Sequence, residues 1–177
     1  MKVALAITGA SGLQYGVRLN EVLRELGHEV VLIRGSGAQA VAKAEGVKLP
    51  KFDFDYKDVG AGPASGSHRM DGMIIAPCSL KTLGEIANGI GGNLVPRAAE
   101  VMLKEGRKLV LVVRETPLSY IAIRNMEKVT LAGGVILPAC PGFYSKPKKV
   151  GDLVDFVCGK TLDQFGIKHK LFKRWKE

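Results

Sequence analysis

No apolar run in the 177 residues approaches the ~20 that a membrane-spanning helix needs. The first residues read at once as a strand, so neither a membrane span nor a signal peptide is expected. Cysteine is scarce. Cys78, Cys140 and Cys158 are far apart and form no C-x-x-C; this excludes a disulfide scaffold and a dithiol redox motif and predicts reduced thiols in a cytoplasmic protein. His28, His68 and His169 are isolated, so the spacing of a zinc site is missing and no metal is expected. Two nucleotide signatures are absent as well: there is no G-x-G-x-x-G and no G-x-x-x-x-G-K-[ST]. Aromatic residues are few, at 6%, and are not interleaved with the basic ones, which argues against a nucleic-acid surface.

Positive charge is plentiful. Lys and Arg number 26 against 17 Asp and Glu, a net charge of +9. Residues 141–177 hold nine of the former and four of the latter, so +5 of the excess lies there. A solvated basic face is the simpler reading; a site for phosphorylated ligands is the other, and placement decides between them. With 46% hydrophobic and 24% charged residues the chain reads as one soluble globular domain, 1–177, with 160–177 as a basic C-terminal tail packing on a neighbouring subunit.

Strand and helix patterns alternate. Strands are predicted at Val3–Ile7, Glu29–Ile33, Met73–Ala76 (ended by Pro77), Leu109–Val113 and Val135–Leu137. Helices are predicted at Leu13–Leu26, Ala38–Glu45, Leu80–Asn88, Leu94–Glu105, Leu118–Leu131 and Val150–Phe165. Residues 46–69, rich in Gly, Pro, Asp and Ser, read as a long irregular loop. Continuous apolar strands alternating with helices imply an α/β fold: a doubly wound parallel sheet in a Rossmann- or flavodoxin-like three-layer sandwich. Such sheets bind ligands beyond the carboxyl ends of their strands.

The residues at those ends therefore carry the chemistry. Thr8-Gly9-Ala10-Ser11-Gly12 follows the first strand and opens a helix, an arrangement that suits an anion. Arg34-Gly35-Ser36-Gly37 follows the second; it holds no acid for a ribose, which argues against NAD, and Ser36 reads either as a helix cap or as a contact for a flavin ribityl chain. Pro77-Cys78-Ser79-Leu80-Lys81-Thr82 follows the third, with Ser79 placed as a cap and Ser, Lys and Thr placed for an anion. Arg114-Glu115-Thr116-Pro117 puts a charge pair at the end of an apolar strand, to be solvated or paired. Cys140-Pro141-Gly142-Phe143-Tyr144 ends the series.

Together "TGASGLQYGVRLNEVL", "SGS" at 65–67, "APCSLKTLGEIANGI", "RAAEVMLKE", "VLVVRETPLS", "PGFYSKP" and "LDQFGI…FKRW" resemble, in order and over nearly the whole chain, the flavin prenyltransferases of the UbiX/Pad type. The resemblance implies a metal-independent enzyme that joins the dimethylallyl group of dimethylallyl monophosphate to N5 and C6 of reduced FMN. The prenylated FMN would serve a UbiD-type decarboxylase. It further implies a homo-oligomer, commonly a dodecamer, with sites shared between subunits.

By the same resemblance FMN lies against Gly9, Ala10, Ser11, Ser36, Ser79, Leu80, Lys81, Thr82 and Arg114. Arg97, Lys104, Tyr144 and Lys160 take the prenyl phosphate, where charge gathers as the C–O bond breaks. The resemblance makes Glu115 the acid–base residue, sets Ser11 and Glu45, a second family glutamate, beside it in the catalytic set, and makes Trp175 an aromatic lid or a packing residue. Ser65 and Ser67 belong to a loop presented to the site. Lys160 stands where the family usually has Arg; it keeps the charge without the bidentate fork, which predicts retained phosphate binding with altered donor preference. The rival readings are an FMN-dependent Cys decarboxylase, a flavin carrier without chemistry, and a direct aromatic-acid decarboxylase. The first typically carries Pro-Ala-Ser-Ala-Asn-Thr where Pro77–Thr82 stands and uses a histidine as base; His68 lacks that motif's surroundings and reads as an exposed loop residue.

Overall fold

A computed structural model describes residues 1–176. Six parallel strands form one sheet in the order β3-β2-β1-β4-β5-β6. They are β1 (Lys2–Ile7), β2 (Glu29–Arg34), β3 (Phe54–Asp55), β4 (Gly72–Cys78), β5 (Lys108–Val113) and β6 (Val135–Pro138). The helices are α1 (Leu13–Glu25), α2 (Ala38–Glu45), α3 (Leu80–Ala87), α4 (Leu94–Lys104), α5 (Tyr120–Leu131) and α6 (Val150–Gln164). The α/β doubly wound sheet is therefore as the alternation of patterns predicts.

Alternation along each strand splits the core in two, because successive side chains leave opposite faces of a sheet. Val3, Leu5 and Ile7 of β1 join Leu32, Ile74 and Val112 under α1, α2 and α6. Ala4 and Ala6 join Ile33, Met73, Ile75, Leu109 and Leu111 under α3 and α4. Both faces being covered, the central strands are apolar throughout. Among the described residues no helix is long and apolar enough to cross a membrane.

Three boundaries differ from the sequence reading. The segment 46–69 is not wholly irregular: it holds β3 and a single 3-10 turn, Gly62–Ala64. Two residues are too few to show a period. What fixes β3 is acidic: the Asp53 carboxylate accepts the Leu32 N–H at 2.8 Å, and Asp55 pairs with the Arg34 guanidinium. Second, β4 runs through Pro77 to Cys78 instead of stopping at Ala76. The ladder shifts register between Ile75 and Cys78, so the missing proline N–H falls at the irregularity. Third, α6 ends at Gln164, within a residue of its expected end, so Lys160 lies inside the helix and the basic tail begins at Phe165 instead of at residue 160.

Candidate active site

Ligands of such sheets sit where the strand order reverses. Here that point lies between β1 and β4. The two strand ends are tied by one side chain. Thr8, 1% exposed, donates its hydroxyl to the Pro77 carbonyl at 2.7 Å and accepts the Ser79 N–H at 3.0 Å. Ser79 in turn caps α3, its hydroxyl accepting the Thr82 N–H at 3.3 Å, as its position predicts.

The turn after β1 does not leave its donors open. Glu45, at the end of α2, reaches across to accept the Gly12 N–H at 2.9 Å and the Leu13 N–H at 3.3 Å. The Ser11 hydroxyl also donates to it. Burial raises the Glu45 pKa, but these three donors outweigh burial and hold the carboxyl below its ordinary range. A carboxylate thus caps the start of α1, where the helix dipole favours negative charge.

The turns after β1 and β2 touch. A Cβ on Gly9 would lie 2.8 Å from the Gly37 Cα, so only glycine permits this approach. Gly37, at φ 82°, opens α2 without any side-chain cap. Ser36 does not cap α2; instead its hydroxyl receives the Lys81 ammonium at 3.4 Å, bringing the loops after β2 and β4 together. An uncapped helix start, a hydroxyl and an ammonium make a donor set suited to a phosphate. A flat ring and a polyol chain could lie from there along Ser79 and Thr82 toward the end of β5. The residues present thus fit FMN.

At the end of β5, Arg114 and Glu115 do not pair with each other. The Arg114 guanidinium donates to the Ser11 carbonyl at 2.9 Å. The exposed Glu115 carboxylate accepts the Thr116 N–H at 3.0 Å. Cys78 is buried, and burial pushes its thiol far up, so it stays protonated. Beyond β6, Tyr144 meets Trp175 edge-on with ring centroids 5.4 Å apart. Together with Lys146, Lys173 and Arg174 they line a 290 Å³ pocket.

Lys104 is not brought to this edge, whereas Arg97 lies in the first turn of α4, on the β3 side of it, where the Leu94 N–H donates to the Tyr56 carbonyl just beyond β3 at 2.8 Å. Arg97 pairs with Glu100 at 2.9 Å on α4. Lys104 pairs with Glu105 at 2.6 Å, four residues before Lys108 begins β5. Lys108 is level with Gly72, and Gly72 with Val3, so Lys104 belongs to the amino edge, about 20 Å from the strand ends at ~3.3 Å per residue. Ser65 and Ser67 share that edge; their hydroxyls lie 2.8 Å apart, and the Arg107 guanidinium donates to the Gly66 and His68 carbonyls at 2.7 and 2.9 Å. His68 is half-buried instead of exposed, its ring packed on Gly62. Among the described residues no three His, Cys, Asp or Glu side chains gather as a metal site would require.

Residues 1–162 match the model of the Flavoprotein family. The flavin prenyltransferase UbiX of Halalkalibacterium halodurans is 46% identical over 98% of this chain and 92% of that protein. This chain belongs to the UbiX flavin prenyltransferase family. Two solved relatives of the UbiX type share its backbone closely. One is AnUbiX (PadA1), crystallised in complex with FMN and dimethylallyl pyrophosphate: 43% identity, 99% of this chain and 97% of that one, TM-score 0.95. The other is the dodecameric FMN-dependent UbiX-like decarboxylase of Escherichia coli O157:H7, 42% identical over the whole of both chains at a TM-score of 0.93. The bridging role of Thr8 and the capping role of Glu45 are what the geometry adds to the reading by motif. A hydroxyl at the end of a fully apolar strand was the signal for Thr8; the capping role of Glu45 left none.

Proposed function

We propose that this chain is a flavin prenyltransferase that joins the dimethylallyl group of dimethylallyl monophosphate to N5 and C6 of reduced FMN. The whole-chain likeness to AnUbiX (PadA1), in complex with FMN and dimethylallyl pyrophosphate, carries the reading. Bound FMN supplies the two nucleophilic positions. The chain supplies the rest. Ser36, Lys81 and the start of α2 would hold the flavin phosphate, with Gly9, Ala10, Ser11, Ser79, Leu80, Thr82 and Arg114 along its length. Tyr144 and Lys160 would meet the donor phosphate, which gains charge as its C–O bond breaks. Glu115, solvent-facing and held at one oxygen, would move the proton released at C6. The face of Trp175 would shield the allylic cation.

Lys104 completes this set only if a second copy presents its amino edge to the crevice, which supports a homo-oligomer, a dodecamer by analogy with the Escherichia coli relative; Arg97 would join it from the start of α4. The prenylated FMN would pass to a UbiD-type decarboxylase, in the cytoplasm. The test is anaerobic incubation with reduced FMN and dimethylallyl monophosphate or, because Lys160 replaces the usual Arg, the diphosphate, followed by mass spectrometry of the released flavin. A flavin heavier by one C5H8 unit is expected. Tightly bound but unchanged flavin with both donors overturns the proposal in favour of a decarboxylase or a carrier.

A further inference from the structure

We infer that Asp163 is a positioning residue of the donor half of the site: it latches the C-terminal tail onto α6 so that Trp175 rests on Tyr144. The inference deepens the prenyltransferase reading and rests on it for its kinetic part. After α6 the chain turns back on itself. Both oxygens of the Asp163 carboxylate are engaged by the tail. One accepts from His169 Nε2 at 3.1 Å and from Arg174 Nη2 at 2.7 Å; the other accepts from Arg174 Nη1 at 3.2 Å. The fork-to-fork geometry with Arg174 fixes orientation as well as distance. The Leu171 N–H donates to His169 Nδ1 at 3.3 Å, so the ring is held from both sides.

Packing follows the same path. Phe172 stacks at a tilt on Phe156 at 4.8 Å, Phe156 meets Tyr144 at 5.6 Å, and Tyr144 meets Trp175 at 5.4 Å. A Cβ on Gly159 would lie 2.5 Å from the Phe172 ring and 2.6 Å from His169, so the α6 surface is cut to receive the tail. Trp175 follows Arg174 directly, and the indole is itself 66% exposed. Its own burial is slight, and the neighbouring ion pair is the anchor that sets where it sits. Lys160 lies 3.7 Å from the same carboxylate, one turn back on α6. Asp163 therefore joins a cation expected to meet the donor phosphate to the aromatic residue expected to cover the donor. The burial of Asp163 disfavours its charge, and Arg174 and His169 more than restore it.

Trp175 is the only tryptophan, so its fluorescence reads the latch directly. In Asp163→Asn of the full chain, indole emission should shift to the red, and acrylamide quenching should rise. The KM for dimethylallyl monophosphate should rise roughly tenfold, as expected for loss of one charge-assisted contact, with the FMN dissociation constant unchanged. Arg174→Gln, which removes the other end of the pair from the protein's surface, should reproduce both effects and covers the case in which Asp163→Asn fails to fold. Unaltered Trp175 emission in a folded variant overturns the inference. So does a fall in FMN affinity in step with the donor KM, which marks a general folding role. If the wild-type protein transfers no prenyl group, the prenyltransferase reading fails, and the emission comparison still decides the latch.

Discussion

Replacing Thr8 with valine tests how the two halves of the crevice are joined. The substitution keeps shape and volume and deletes one hydroxyl. That hydroxyl serves two backbone groups at the switch point, the Pro77 carbonyl and the Ser79 N–H. Thr8 is 1% exposed, so water cannot replace it. A buried polar group left without its partner costs about 1–3 kcal/mol. The Pro77 carbonyl keeps a longer bond from the Thr8 N–H, at 3.4 Å, and falls at the low end. The Ser79 N–H loses its acceptor outright. The sum is about 2–4 kcal/mol. For a chain of this size about 2–4 °C accompanies each kcal/mol, so the melting temperature should fall by about 4–16 °C, measured without flavin at one protein concentration. Thr8→Ser keeps the hydroxyl and removes one methyl, worth about 1 kcal/mol. FMN affinity should fall in Thr8→Val more than in Thr8→Ser, because Ser79 moves with the loop it caps. If valine and serine cost the same, or if valine shifts the melting point by less than about 2 °C, the hydroxyl bridge carries no weight.

Glu115→Gln should retain FMN and lose transfer by about 100-fold or more, the usual contribution of a positioned acid–base group; wild-type turnover by mass spectrometry of the flavin removes Glu115 from the chemistry. Tyr144→Phe should raise the donor KM while leaving FMN titration unchanged, since its ring still packs on Phe156; equal loss of both points to folding instead. The Glu45 cap should give a pH signature. Its folded pKa lies below the ordinary 4.5, so its contribution is full above that value and is lost as pH falls through the lower one. Urea midpoints of wild type and Glu45→Gln should accordingly differ at pH 7 and converge in acid; parallel curves refute the cap. Of the three thiols, Cys140 alone is exposed, and burial keeps Cys78 and Cys158 protonated. One thiol per chain should react quickly with a disulfide reagent in the folded protein and three after denaturation.

What could be read from the sequence was what lies along the chain. Ser79 sits just before an apolar-periodic segment and caps it; the strands announce themselves because both faces of the sheet are covered. What could not be read lies across the chain. Glu45 closes an amphipathic helix and carries no mark of reaching the start of α1, 33 residues earlier. Asp163 sits in a stretch that resembles the family, yet its carboxylate binds residues that a basic tail suggests are solvated. β3 is a pairing made by acids, with no period to detect.

Lys104 is the instructive case. Family resemblance assigns it to the donor phosphate, while chain direction assigns it to the other edge. In a parallel sheet every crossover returns the chain to the amino ends of the strands; the one from β4 to β5 holds α3 and α4, and Lys104 closes α4 four residues before β5 begins. Its place could have been worked out from the alternation alone. A residue of the site that topology puts about 20 Å from the strand ends cannot be supplied in cis by a side chain roughly 6 Å long. Either the resemblance misassigns it, or a second copy carries it in. Mixed assemblies decide it: chains bearing Glu115→Gln combined with chains bearing Lys104→Ala should regain part of the transfer that each has lost alone, since some crevices would then hold an intact pair. Complete silence of the mixture would return Lys104 to a surface role beside Glu105.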